Sequence, residues 1–275
     1  MAGRLAAGDA RALVDGVPVS MDDARLPLVD AGLVLGDGAF ETIGVWGGRP
    51  FLLADHLDRL DASLAALVLP PSARGLLEEE CRQVLAGLEV DAALRIHLTS
   101  GGTRAVSLSP LPPRTRRMVL VPQPAPWVQP AGAGGAAGAK SMSYGPNLAA
   151  RRRARQEGGD DALLYSVPDR FVLEGATAGI LFVARGVVHA PDTALGIVDS
   201  ISRRTLLEVA TDHHLDVLIG RWPLESLADA DEVLISTSLR PATAVQKVGP
   251  WSYGRTHPVT DLLARGLRTR RRKRR

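Results

Sequence analysis

Cysteine, lysine and long apolar runs are all scarce in this chain. Of 275 residues only Cys81 is a cysteine, so an internal disulfide is excluded and no Cys/His group has the spacing of a structural zinc site. No metal site is expected. No apolar stretch approaches the roughly 18 residues that cross a bilayer, and the opening MAGRLAAGDARALVDG has no signal-peptide core, so a cytoplasmic protein without a membrane partner is expected. Lysine is limited to Lys140, Lys247 and Lys273, because arginine supplies nearly every other cation. Any chemistry that needs a primary amine therefore has three candidates.

What is present is ordinary for a globular protein: 45% hydrophobic and 23% charged residues, enough for one large or two ordinary domains. The net charge of +3 is uneven. RGLRTRRRKRR (265–275) carries more positive charge than the whole chain's net, so the remainder is acidic. Such a block reads as a disordered basic tail able to touch polyanions nonspecifically. No aromatic residue interleaves with these arginines, and no specific nucleic-acid partner is expected.

Strands and helices mix along the chain, which predicts an α+β fold. VDGVPV (14–19) centres a hairpin on Asp15-Gly16, and AFETIGVWGGRPFLL (39–53) centres a second on Gly47-Gly48. Leu57, Leu60, Leu64 and Leu67 form a helical stripe that leaves His56, Arg59 and Ser63 on another face, and Pro70-Pro71 closes this helix. A second helix is expected over 78–88, strands over 93–100 and 118–122, and a Gly/Pro-rich loop between those strands. PQPAPWVQPAGAGGAAG (122–138) has no periodicity and reads as an interdomain linker. The predicted organisation is an N-terminal domain over 1–121, the linker, a C-terminal domain over 139–260 carrying Lys140, and the tail from 261. In the second half, helices are expected over 146–157 and 202–210, and strands over 162–165, 180–184, 186–189 and 232–237.

An amine attacks a carbonyl only when unprotonated and directed into a pocket. Lys273 lies in the charged tail and Lys247 precedes the turn Gly249-Pro250. Lys140 sits among small residues, GAAGAKSMSYGPN, where a planar ligand can approach. By itself a lysine at such a junction is more often structural.

The motifs read together alter that balance. LGDGAFETI (35–43), HLDRL (56–60), AKSMSYGPN (139–147), DDALLY (160–165), VLEGATAGI (172–180), SISRRTLLEVA (200–210) and STSLRPATAV (236–245) occur in an order and spacing that resembles the class IV aminotransferases. These are the fold-type IV pyridoxal-phosphate enzymes, which include branched-chain and D-amino-acid aminotransferases and aminodeoxychorismate lyase. The resemblance implies a two-domain fold with pyridoxal 5′-phosphate in the interdomain cleft, and a homodimer. It makes Lys140 the Schiff-base lysine and proton carrier, Tyr144 the partner of the cofactor's phenolic oxygen, and Glu174 the carboxylate facing the pyridine nitrogen. Arg59, Ser238 and the helix-start residues Ile201 and Ser202 are matched to phosphate binding. Taken singly, Glu174 reads as a solvated hairpin residue, Arg59 as a solvated helix arginine and Ser202 as a plain N-cap.

The substrate side is less constrained. The arginine that follows the strand in T-R-G turns of the family is replaced here, the turn reading Thr99-Ser100-Gly101, which argues against D-amino-acid transamination by that arrangement; Arg104 is the nearby substitute. Glu41 and Leu239 complete the substrate-side candidates. Two reactions follow: amino transfer between a branched-chain or other apolar amino acid and a 2-oxo acid, or release of pyruvate from aminodeoxychorismate to give 4-aminobenzoate for folate. A nucleic-acid-binding protein on a degenerate scaffold is the third reading, and it would be favoured had Lys140 or Glu174 been missing.

Overall fold

The computed structural model describes residues 3–113, 117–132 and 136–273. The chain divides into two compact units, the described parts of Met1–Pro113 with Ala139–Tyr144, and of Arg114–Gly138 with Gly145–Lys273.

The first unit contains β1 (Arg11–Val14), β2 (Val17–Ser20), α1 (Ala31–Val34), β3 (Gly38–Trp46), β4 (Arg49–Pro50), α2 (Leu53–Ala66), α3 (Arg74–Leu85), β5 (Ala92–Thr99) and β6 (Arg104–Ser109). Among the described residues its strands form one six-stranded antiparallel sheet in the order β2-β1-β6-β5-β3-β4. Both expected hairpins are present. The expected loop after β5 instead holds β6, whose Val106 and Leu108 point inward and are fully buried. Their alternation with Ala105 and Ser107 is the period-2 signal of a half-buried strand. Leu57, Leu60 and Leu64 of α2 pack on Ile43, Leu94 and Ile96 as the stripe requires. His56 and Ser63, off that stripe, are buried as well. Cys81 lies in this core, and burial pushes its thiol up to about 12, which removes it as a nucleophile at neutral pH.

The second unit contains β7 (Met118–Pro124), α4 (Gly145–Gln156), β8 (Asp161–Tyr165), β9 (Val172–Gly175), β10 (Gly179–Ala184), β11 (Val187–Pro191), α5 (Ile201–Asp212), β12 (Val217–Gly220), β13 (Glu232–Thr237), β14 (Arg240–Val248), β15 (Trp251–Ser252) and α6 (Pro258–Lys273). Among the described residues nine strands make a mixed sheet, β12-β11-β10-β13-β14-β7-β8-β9, with β15 on β14.

Three expected boundaries move. β7 belongs to the second unit, pairing in parallel with β14 and β8. Much of the expected linker is folded there too: Ala125 is fully buried, the Trp127 indole donates to Asn147 at 2.9 Å, and Gly138 donates to the Gly196 carbonyl at 3.0 Å. Residues 133–135 of that linker lie outside the described residues. Ala139–Tyr144, with Lys140, belongs to the first unit instead of the second.

The basic run is a helix up to Lys273, not a disordered tail; residues 274 and 275 lie outside the described residues. Counting charge hides a stripe at helical spacing. Thr260, Leu263, Ala264, Leu267 and Arg271 are all buried, and Arg270 meets the acidic end of α5 at Glu208 and Asp212.

Candidate active site

In the first unit the lysine is carried by a short segment lying along β3. Phe40 donates its N–H to the Lys140 carbonyl at 3.1 Å, Met142 donates to the Gly38 carbonyl at 2.8 Å, and Ser141 bridges Ala39. Gly38 permits this approach, since a Cβ there would lie 2.3 Å from the Leu98 carbonyl oxygen and 2.9 Å from the Met142 sulfur. The Lys140 N–H is held by Ser63 Oγ at 3.0 Å, and that hydroxyl donates to the Arg59 carbonyl at 2.8 Å. Lys140 is thereby tied to both β3 and α2.

Its side chain is half-buried. The Nζ atom stands 4.2 Å from the Phe40 ring centroid and 3.4 Å from the Tyr144 hydroxyl, and the two rings meet edge to face at 5.2 Å. Phe40 also stacks on His97 at 5.8 Å. Because Phe40 pairs with His97 and Thr42 with Arg95 across β3 and β5, these four side chains share the sheet face that carries the amine. Burial lowers the His97 pKa, and the charges of Arg95 and then Lys140 lower it further, so this ring is neutral at neutral pH. Burial also lowers the pKa of Arg95, whose Nη1 is hydrogen-bonded to Ser109 Oγ. His97 and Arg95 were not among the sequence candidates. Their i, i+2 spacing in ALRIHLT was the available signal.

Glu41 is fully buried on the opposite face of β3, which is incompatible with direct substrate contact. One carboxylate oxygen accepts Arg59 Nε at 2.7 Å, and the other accepts Arg59 Nη2 and His56 Nδ1, both at 2.7 Å. Burial alone would raise its pKa, but the bonds from His56 and Arg59 outweigh that and hold it at about 2. Burial in turn lowers the His56 pKa. The Arg59 guanidinium is thus oriented by a buried carboxylate.

The sign of the resulting pH dependence follows from the depressed value. Stability from this carboxylate is present above pH 4.5 and is lost as pH falls toward 2, up to on the order of 3 kcal/mol. Glu41→Gln leaves Arg59 without its anion and is expected to cost about 3–5 kcal/mol in urea unfolding near neutral pH, and to flatten the acid limb of stability between these two pH values. A variant as stable as the parent would show that the pairing does not hold the helix.

Arg104, the expected substitute for a substrate-binding arginine, forks onto Glu80 with Nε and Nη2 each at 2.7 Å. The hydrogen bond to Glu80 raises its pKa, and its register with Leu98, one residue past His97, puts it on the sheet face opposite the Lys140 amine, which removes it from the substrate candidates.

In the second unit Ser200 and Ser236 meet at the start of β10. Gly179 opens β10, pairs with Ser236 of β13, and has Ser200 Oγ 3.2 Å from its Cβ position. Ser200 is the N-cap of α5, its hydroxyl accepting from the Arg203 N–H, so the capping role expected of Ser202 belongs two residues earlier. Ile201 and Ser202 occupy the first turn, where helix geometry leaves N–H groups without intrahelical acceptors, and Ser202 is buried. Ser238 and Leu239 form the turn between β13 and β14, with Thr237 Oγ1 accepting from Leu239 N–H at 3.3 Å and Arg240 N–H at 3.0 Å. Glu174 sits on β9 before the tight 175–178 turn, where Gly175 donates to Ala178 at 2.7 Å. Arg203 lies close enough to register its charge. Burial lowers the Arg203 pKa, and the carboxylates of Asp199 and, more weakly, Glu174 oppose this.

The first unit thus holds a lysine amine against two aromatic rings. The family model for amino-transferase class IV matches residues 38–248. The chain belongs to the class IV amino-transferase family. A Methanocaldococcus jannaschii protein, provisionally named a branched-chain-amino-acid aminotransferase, is 29% identical over 81% of this chain and 82% of its own. The bifunctional aminodeoxychorismate lyase / D-amino acid transaminase of Mycobacterium tuberculosis is 28% identical over 93% of this chain and 94% of its own. A Mycobacterium tuberculosis aminotransferase solved in its PLP-bound form superimposes with a TM-score of 0.85 at 26% identity, covering 97% of this chain and all of that one (100%). The α+β fold is thus the fold-type IV architecture that the motifs implied. No helix among the described residues is long and apolar enough to cross a membrane.

Proposed function

We propose that this enzyme binds pyridoxal phosphate covalently at Lys140 and transfers an amino group between an apolar amino acid and a 2-oxo acid. The observation that carries the reading is the fixed placement of the Lys140 amine against Phe40 and Tyr144. The donor chemistry fits the group: an amine for its aldehyde, Glu174 for its ring nitrogen, and Arg59, Ser202, Ser238 and the first N–H groups of α5 for its phosphate. A further point in favour is the buried Ser236 hydroxyl, paired in register with Gly179 and without a hydrogen-bond partner among the described residues. When bound, the cofactor supplies an electron sink for the bond broken at the substrate carbon. Lys140 Nζ is the atom that takes and returns the proton, Tyr144 orients that amine, and the neutral His97 and Phe40 form an uncharged wall. Arg95 is the cation on the same face for a substrate carboxylate.

The second reaction, release of pyruvate from aminodeoxychorismate, shares every one of these groups and is kept because a relative combines it with transamination. Purified protein is expected to form glutamate from 2-oxoglutarate with a branched-chain donor faster than it releases pyruvate from aminodeoxychorismate. The reverse order would assign the lyase reaction.

A homodimer is part of the proposal. Leu28, Val29, Val34 and Leu35 are 83%, 88%, 62% and 72% exposed, on a segment held rigid by Asp30, which accepts from Thr99, Thr103 and the Gly32 N–H. So much apolar surface on a fixed segment suits a self-complementary contact. A sedimentation mass of one chain, 29.2 kDa, would overturn it.

A further inference from the structure

The C-terminal helix α6 touches both elements to which phosphate binding is assigned. Toward α5, Gly266 lies against Val209 so closely that a Cβ would come within 2.3 Å of Val209 Cγ1, and Arg270 Nη2 meets Asp212 at 2.6 Å. Toward the β13–β14 turn, Arg271 Nη2 donates to the Ser238 carbonyl at 3.2 Å from a side chain that is 8% exposed.

This last bond acts on one peptide plane. The Ser238 carbonyl and the Leu239 N–H are the two ends of the same amide, and the N–H is held by Thr237 Oγ1. With Arg271 on one end and Thr237 on the other, the plane is restrained against turning, which steadies the backbone of the turn that carries Ser238. The guanidinium also brings a buried positive charge to the turn, where water screens it little. Nothing in the matched motifs, which end at Val248, points to a residue this far along the chain.

We propose that Arg271 is a positioning residue for the cofactor phosphate, acting through the Ser238–Leu239 peptide. This rests on the proposed function above, and in particular on Ser238 facing the phosphate. The test compares pyridoxal phosphate with pyridoxal, which has the same aldehyde and ring but no phosphate, by titrating each into the full-length apo-protein and following the absorbance gained on linkage to Lys140. Arg271→Gln is expected to weaken pyridoxal phosphate roughly 10-fold while leaving pyridoxal within about twofold. Arg271→Lys, which keeps the charge and a donor but not the planar fork, is expected to shift the same ratio in the same direction by less. A merely structural arginine would weaken both aldehydes alike, and an equal loss, or an unchanged ratio, overturns the proposal. Should Arg271→Gln fail to fold, the ratio in Arg271→Lys decides. A wild-type protein that takes up neither aldehyde would overturn the proposal by removing the reading beneath it, and that failure is recognised because it occurs before any substitution is made.

Discussion

Lys140→Ala is expected to abolish the yellow absorbance of the cofactor-loaded protein and to lower turnover by at least about 10³-fold, since covalent attachment and proton transfer are both assigned to one amine. Lys247 lies on β14 in the other unit and Lys273 ends α6. Borohydride reduction followed by peptide mapping is the direct measurement, and it should place a pyridoxyl group on Lys140. A label on Lys247, or none, would sink the assignment whatever the kinetics showed. The substitution should fold, because the bonds that hold the lysine segment to β3 and Ser63 run through its backbone and need no amine.

Glu174→Gln should leave cofactor bound and slow the chemical step by about 10²-fold or more. A carboxylate facing the pyridine nitrogen keeps that nitrogen protonated, and the charged ring is what accepts the electron pair from the substrate carbon. Glutamine keeps the shape and loses the charge, so the loss falls on the step that develops negative charge and much less on affinity. Single-turnover rates for wild type and variant with the best amino donor, measured beside cofactor affinity, make the comparison. Equal rates would show that Glu174 does not face the ring.

Most elements of the second unit were legible because each was bounded by turn residues and had one clear period; the helix expected over 202–210 is α5, and the strand expected over 232–237 is β13. What stayed hidden depended on partners distant in the chain. Nothing in HLDRL says that His56 and Arg59 close on Glu41, because that carboxylate lies on a strand whose register with α2 is a tertiary matter. Arg104 looked available until Glu80 of α3 was seen to hold it. For α6 the misleading feature was charge: a run of arginines signals repulsion only if the acids that neutralise it are far away, and Glu208 and Asp212 are not. Burial at the candidate site was not legible, since burial is a property of the folded neighbourhood.

The segment Ala139–Tyr144 has a consequence for how this chain is made. It completes the neighbourhood of β3 in the first unit, yet it is synthesised only after β7, the first strand of the second. Until the lysine segment has been made, the Phe40 N–H and the Gly38 carbonyl lack the partners it brings, and the Ser63 hydroxyl lacks the N–H it accepts. No single cut in the gene therefore yields two halves that each hold their own residues. A split or fused version of the enzyme would have to treat the lysine segment as cargo belonging upstream, and evolution by simple exchange of one unit would leave the amine behind.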